Sequence, residues 1–313
     1  MDEDALTLND LFDRRLDYPD MDAARRLSRL VGIDEAKEQL TKMLGILVNA
    51  AGPRLWADKF HPHAEVLLDY VERRPPLVIL AGDVGSGKTE LAETVGDAVA
   101  RQEKIPVTLF PMSLAARGKG RVGEITRLVS KAFELTHDAA AKLKRDGKAA
   151  GAIILLVDEA DALTQSREDS QMHHEDRAGV NAFIRGVDRL AAQRLPAAVL
   201  LCTNRMSAID PAVLRRAADI FRFDRPTDVQ RHAVLHGPLE EAGFSKTEVD
   251  ALVEATGSKA KKSPGFTFSD LTQRLLPTIV LDAYPDRQIT FERALELAKS
   301  IAPTPPFRDG AQS

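Results

Sequence analysis

The chain has 313 residues, 44% hydrophobic and 29% charged, enough for one sizeable α/β core and a smaller second domain. Its 43 basic and 47 acidic residues leave a formal net charge of −4, which argues against a global electrostatic footprint for nucleic acid. The single cysteine, Cys202, lies in an apolar strand, the N-terminus is acidic, and no apolar run approaches the roughly 20 residues of a membrane span, so a soluble cytoplasmic protein without disulfides or membrane contact is expected.

In chain order, the first clear pattern is Leu30 to Leu40, a short apolar segment in which Asp34 is placed to cap an amphipathic helix. Residues 45–75 read as a helix-loop-helix connection; His61 and His63 have no carboxylate or cysteine cluster to complete a metal site. The decisive stretch follows. The apolar strand Leu77-Val78-Ile79-Leu80-Ala81 runs into Gly82-Asp83-Val84-Gly85-Ser86-Gly87-Lys88-Thr89, and Leu91, Val95, Ala98 and Val99 then recur at helical spacing. Strand, GxxxxGKT and helix together form a phosphate-binding loop. Backbone N–H groups of the turn and the helix N-terminus cradle phosphates, Lys88 adds a point charge, and the Thr89 hydroxyl ligates Mg²⁺. Asp83 to Glu90 are the nucleotide-contacting candidates.

A second strand, near 106–111, precedes an amphipathic helix from Glu124 to about Lys144. The run Ile153-Ile154-Leu155-Leu156-Val157 then ends in Asp158-Glu159, carboxylates at the carboxyl end of a buried strand, where parallel sheets place their ligands. Asp158 is assigned to Mg²⁺, and Glu159 to orienting and deprotonating an attacking water. That chemistry is nucleoside-triphosphate hydrolysis. The strand at 198–203 ends at Asn204, an amide able to bond both water and γ-phosphate, and Asp210-Pro211 starts a helix carrying Arg215 and Arg216. Strands near 77–81, 106–111, 152–157, 198–203 and 220–224 alternating with helices predict a parallel, doubly wound sheet; after Pro226 only helical patterns follow, near 227–242, 245–256, 268–282 and 290–300.

Phosphate loop, Asp-Glu strand, Asn-tipped strand and paired arginines in this order resemble the AAA+ ATPases, over roughly residues 25–302. The resemblance implies a large α/β domain at 25–226 after an N-terminal extension at 1–24, a helical lid at 227–302, and a disordered tail at 303–313. It implies that Asn204 is the polar sensor, that Arg216 or Arg215 is the finger reaching a neighbouring subunit's site, and that Val31, Gly32 and Ile33 line the adenine pocket. A finger so placed implies a homo-oligomeric ring, a hexamer. The family also sets a lid arginine beside the γ-phosphate; here Ser269 is placed to cap the helix and Arg274 is the first arginine after it.

Within the family, Asp158 to Arg167, Asp176 to Asp188, Arg216 to Ile220 and Ile289 to Leu295 resemble the pachytene-checkpoint ATPases, which remodel HORMA-domain proteins. With only about 75 residues before the phosphate-loop strand, the separate substrate-recruiting domain of the eukaryotic members is expected to be absent. The chain is similar instead to the compact bacterial members, which accompany HORMA proteins and nucleotidyltransferases in cyclic-oligonucleotide antiphage defence. The resemblance implies an ATP- and Mg²⁺-dependent remodeller of a HORMA-domain protein and, through it, of a nucleotidyltransferase complex. Its pore loop would be residues 117–123, with Arg121 and Val122 where many translocases carry an aromatic before Val-Gly, and less directly residues 166–176. Two other readings stand beside this one: a clamp-loader or initiator-like ATPase acting on DNA through that basic loop, and a nucleotide-gated scaffold, against which Glu159 and the arginines argue. No DNA-binding module follows the lid, so nucleic acid ranks lower as a partner.

Overall fold

The computed structural model describes residues 11–12, 14–113, 124–145, 148–160, 174–258 and 264–306. In chain order the elements are β1 (Leu16–Tyr18), α1 (Met21–Ser28), α2 (Asp34–Val48), α3 (Ala51–Phe60), α4 (Glu65–Glu72), β2 (Leu77–Gly82), α5 (Lys88–Glu103), β3 (Val107–Ser113) and α6 (Glu124–Leu143). A two-stranded hairpin, β4 (Lys144–Arg145) and β5 (Lys148–Ala149), leads to β6 (Ala152–Asp158), α7 (His174–Ala192), β7 (Ala197–Thr203), α8 (Pro211–Leu214) and β8 (Asp219–Phe223). Four helical segments follow: α9 (Asp228–Glu241), α10 (Lys246–Ala255), a helix whose first part, Asp270–Leu275, is π-helical before continuing as α11 (Leu276–Ala283), and α12 (Phe291–Ser300). Among the described residues no helix is long and apolar enough to cross a membrane.

The chain divides into two compact units. One comprises Met1–Leu27, Glu35–Ala81 and Thr89–Arg222, the other Ser28–Asp34, Gly82–Lys88 and Phe223–Ser313. The first is built on a six-stranded sheet of order β1-β3-β6-β7-β2-β8. Strands β3, β6, β7 and β2 are parallel, with Val157 opposite Leu201 and Thr203 opposite Ala81. Uninterrupted apolar runs form the inner strands, and every residue of β7 is buried, as expected where helices cover both faces of a parallel sheet. Alternation along β2 turns Leu77, Ile79 and Ala81 into a core cluster with Ile153, Leu155, Val157, Val199 and Leu201, closed by Phe133 of α6 and Phe183 of α7. Those two rings meet edge to face at 5.3 Å. Gly186 admits this contact, since a Cβ there would lie 2.2 Å from the Phe133 ring.

The five strands read from sequence are present within one or two residues of their expected bounds, and α6 spans Glu124–Leu143. One feature differs. The sheet is not wholly parallel: β1 adds an antiparallel edge, pairing Leu16 with Leu109 and Tyr18 with Val107. Residues 45–75 carry the expected helix-loop-helix, α3 and α4, after the end of α2.

The second unit has its own core, formed by Val234, Leu235 and Leu239 of α9, Val249 and Leu252 of α10, Leu271, Leu275 and Ile279 of the third helix, and Ala294 and Ala298 of α12. Its first two helices start at reciprocal caps. Thr227 pairs with Gln230 and Ser245 with Glu248. The third helix corrects the sequence expectation: Ser269 makes no capping bond. Thr267 caps instead, its Oγ1 accepting from the Asp270 N–H at 3.0 Å while the Asp270 carboxylate accepts from the Thr267 N–H at 3.0 Å. Both residues are short hydroxyls, but only Thr267 stands three positions before an acid able to return the bond.

Candidate nucleotide site

In the first unit the candidate chemistry gathers at the carboxyl edge of the sheet, because the parallel strands β2, β6 and β7 all end there. Asp158 is the last residue of β6 and Asn204 follows the end of β7, half-buried. Thr89, in the first turn of α5, donates its hydroxyl to the Asp158 carboxylate. Burial pushes the Asp158 carboxyl above its usual range, while bonds from the Glu159 N–H and the Thr89 hydroxyl pull it back. A partly buried carboxylate beside a hydroxyl is an all-oxygen donor set, which suits a hard divalent cation whose charge would offset that desolvation. Glu159 is exposed and its backbone sits at φ 51°, left-handed, with its N–H bonded to Asp158 Oδ1 at 2.8 Å. A glutamate in that region costs about 1 kcal/mol or more, so the turn after β6 holds the side chain where local preference alone would not.

The arginine pair separates. Asp210 caps α8 by accepting from the Ala212 N–H, with Pro211 in the first turn, as the sequence implies. Arg216 then forms a two-pronged ion pair with Asp188 of α7 at 2.7 and 3.0 Å. Arg215 is exposed and has no ion pair among the described residues. Glu90, a nucleotide-contact candidate, turns its carboxylate to Arg26 of α1, accepting two bonds at 2.7 and 2.8 Å. Arg26, which pattern reading passes over, also reaches Glu93 at 3.0 Å, so α1 clamps the start of α5.

In the second unit lie the loop glycines and Lys88. The loop turns at Gly82, Gly85 and Gly87, with φ values of 155°, 72° and 90°. At Gly85 a Cβ would lie 2.8 Å from Thr267 Oγ1, and the Ser269 N–H donates to the Gly85 carbonyl at 3.0 Å. Lys88 is buried and donates to the carbonyls of Gly82 and Asp83 at 2.9 and 2.7 Å and to Ser86 Oγ at 3.1 Å. Val84 is exposed. Val31, Gly32 and Ile33 belong to this same unit. Ile33 is buried, Gly32 has φ 85°, and its carbonyl accepts from Gln230 Nε2 at 2.7 Å. Arg274 is committed within the unit, bonding Asp270 at 2.7 Å and the Ala302 carbonyl at 2.9 Å. Gln230, Thr267 and Arg225 join this assembly; the first two are legible only as caps, and nothing local announces Arg225. Arg121 and Val122 lie outside the described residues, as do residues 166–173.

A phosphate loop followed at once by a helix, an acidic pair ending the neighbouring parallel strand but one, and a small helical unit define an ATPase of the AAA class. Residues 78–225 match the ATPase family associated with various cellular activities (AAA). The chain is 61% identical over 304 residues to CD-NTase-associated protein 6 of Escherichia coli (strain MS 115-1), covering 97% of this chain and 98% of that protein. It therefore belongs to the CD-NTase-associated protein 6 family of AAA ATPases. A chain of the solved E. coli MS115-1 HORMA:CdnC:Trip13 complex is similar with 59% identity and a TM-score of 0.89, covering 97% of this chain and 99% of that one. The solved Rhizobiales Trip13 is similar with 53% identity and a TM-score of 0.75, over 95% of this chain and 100% of that one.

Proposed function

We propose that this protein is a Mg²⁺-dependent ATP hydrolase that works as a cytoplasmic hexameric ring, partly unfolding a HORMA-domain protein and so disassembling its complex with a nucleotidyltransferase in antiphage signalling. The observation that carries this reading is near full-length similarity, at 59% identity, to a chain of the HORMA:CdnC:Trip13 complex. Domain bounds of 25–226 and 227–302 go with it.

The division of labour follows from the residues. Lys88 and the loop N–H groups bind the phosphates, and Val31, Gly32 and Ile33 the adenine. Thr89 and Asp158 would hold Mg²⁺, which supplies charge neutralisation on the phosphate oxygens. Glu159 takes the proton of the attacking water, and Asn204 orients that water. An arginine of the neighbouring subunit, Arg215 or Arg216, stabilises charge in the transition state. Arg274 is the lid candidate, and Arg121 and Val122 grip the extended substrate peptide through apolar contact and backbone hydrogen bonds.

Size exclusion of a purified HORMA–nucleotidyltransferase complex with the wild type and ATP tests the reading. ATP-dependent dissociation is expected, lost on replacing Arg121 and Val122 by Ala and Gly while basal ATPase persists. Dissociation by that double variant would remove the loop from the mechanism. Salt-dependent DNA binding by a wild type that dissociates no complex would sink the remodeller and favour the DNA-acting reading.

A further inference from the structure

One carboxylate in the phosphate loop has the wrong sign for its surroundings. Asp83 follows Gly82 directly, in a loop whose task is to bind a polyanion, and an ionised side chain there repels phosphate unless its charge is matched. Its Oδ1 accepts from the Val84 N–H at 2.9 Å, which shapes the turn. Its Oδ2 accepts from Arg225 Nε at 2.8 Å, in an ion pair where each side chain is 16% exposed. At that burial the pair is screened far less than a surface salt bridge.

Arg225 does more than pair. Its Nη1 donates to the Gly265 carbonyl and its Nη2 to the Thr304 carbonyl at 2.6 Å. The planar guanidinium thus joins three chain segments: the phosphate loop, the approach to the helix that Thr267 caps, and the segment after α12. That last segment is tied a second time. Asp270, with no exposed surface, accepts from the Thr304 N–H at 3.0 Å and from Thr304 Oγ1 at 2.7 Å. Arg274 bridges Asp270 to the Ala302 carbonyl. The expected disordered tail is therefore held at its beginning by the buried Asp270 and the partly buried Asp83, acting through Arg225, Arg274 and Thr304. The same Asp270 cap presents Ser269 to Gly85 in the loop.

We propose that Arg225 is the positioning residue of the phosphate loop, neutralising Asp83 and fixing its carboxylate in the turn, and that segment 302–304 is a strap that sets nucleotide affinity by holding the guanidinium in place. The inference rests on the nucleotide-site reading above and extends it: affinity is set by the C-terminal segment as well as by the residues that touch phosphate.

The test is binding of a fluorescent ATP analogue and of ADP, with Mg²⁺, to the full chain and its variants, with circular dichroism and thermal melts on the same samples. Arg225→Gln takes the guanidinium away from the Asp83 carboxylate beside the nucleotide, and Kd rises about tenfold or more, the scale of a lost charge-assisted bond. Asp83→Asn combined with Arg225→Gln removes the carboxylate charge together with its guanidinium, and Kd returns to within about threefold of wild type. A chain ended at Ile301 weakens binding by about three- to tenfold, while kcat at saturating ATP stays within about twofold, because the bound ground state and the transition state lose the same binding. A folded Arg225→Gln protein with wild-type Kd, or a double variant as weak as the single, overturns the proposal. Should Arg225→Gln fail to fold, Arg225→Lys decides: it keeps a charge for Asp83 but cannot span both carbonyls, and it should match the Ile301-ended chain, whereas wild-type affinity in both overturns the strap. Absence of nucleotide binding by the wild type would instead overturn the reading of the site itself, and this inference with it.

Discussion

The hydroxyl of Thr89 donates to the carboxylate of Asp158, joining the first turn of α5 to the end of β6. Both groups carry oxygen ligands and would hold the proposed Mg²⁺. Thr89→Ala should raise the Mg²⁺ concentration for half-maximal hydrolysis by at least about tenfold, while Thr89→Ser stays near wild type. A Mg²⁺ titration of ATPase activity checks this, and an unchanged midpoint in the alanine variant would remove Thr89 from the metal site.

Glu159 combines a proposed catalytic role with a strained backbone at φ 51°. Glu159→Gln keeps shape and should bind ATP normally while turnover falls by roughly a hundredfold or more. Glu159→Gly should be equally inactive yet more stable by about 1 kcal/mol, or about 2–4 °C in Tm, because glycine adopts this region without penalty. Parallel melts and ATPase assays separate the two effects; a glycine variant that melts below wild type would contradict the strain argument.

Arg215 and Arg216 enter this test differently, since only Arg216 is held by Asp188. Alanine at the true finger should abolish hydrolysis with ATP binding retained. Mixing that variant with Glu159→Gln subunits should recover part of the activity, because some interfaces then combine an intact Glu159 with an intact arginine. If no mixture recovers activity although wild-type subunits exchange, and dilution to monomer leaves wild-type activity intact, the shared site is wrong. Alanine at Asp188 distinguishes a structural Arg216: a pair that merely braces α7 costs stability and leaves turnover unchanged.

Asp270 gives the second unit an acid sensitivity. Burial alone would raise its carboxyl, but bonds from the Thr267 N–H, the Thr304 N–H and hydroxyl, and Arg274 outweigh that and hold it at about 2. A carboxyl lower in the folded chain than in the unfolded one stabilises fully above the unfolded value, near 3.8, and loses that contribution as pH falls through about 2. The contribution is on the order of 2 kcal/mol. Thermal melts between pH 5 and pH 2 should therefore show a steeper loss in wild type than in Asp270→Asn, and parallel slopes would exclude Asp270 as the cause.

The residues that sequence alone determined share one property: their signal is local. An apolar run into Gly82 to Thr89, a second run into Asp158-Glu159 and the Asp210-Pro211 start of α8 each carry their chemistry within a few positions, so strands, loop and helix were legible without a fold. The caps show where this stops. Ser269 and Thr267 are alike as hydroxyls, and the choice fell to Thr267 because Asp270 returns the bond and the loop carbonyl of Gly85 takes the Ser269 N–H. Strand β1 has three residues and no periodicity; its place comes from pairing with β3. Glu90 reads as a nucleotide contact until Arg26, 64 positions away, claims its carboxylate. Arg225 is one more arginine after a strand, and only the fold brings Asp83, Gly265 and Thr304 to its three nitrogens. Periodicity and motif spacing report what a residue does with its chain neighbours, whereas the partner of a buried charge is chosen by desolvation across the whole chain, which no local pattern encodes.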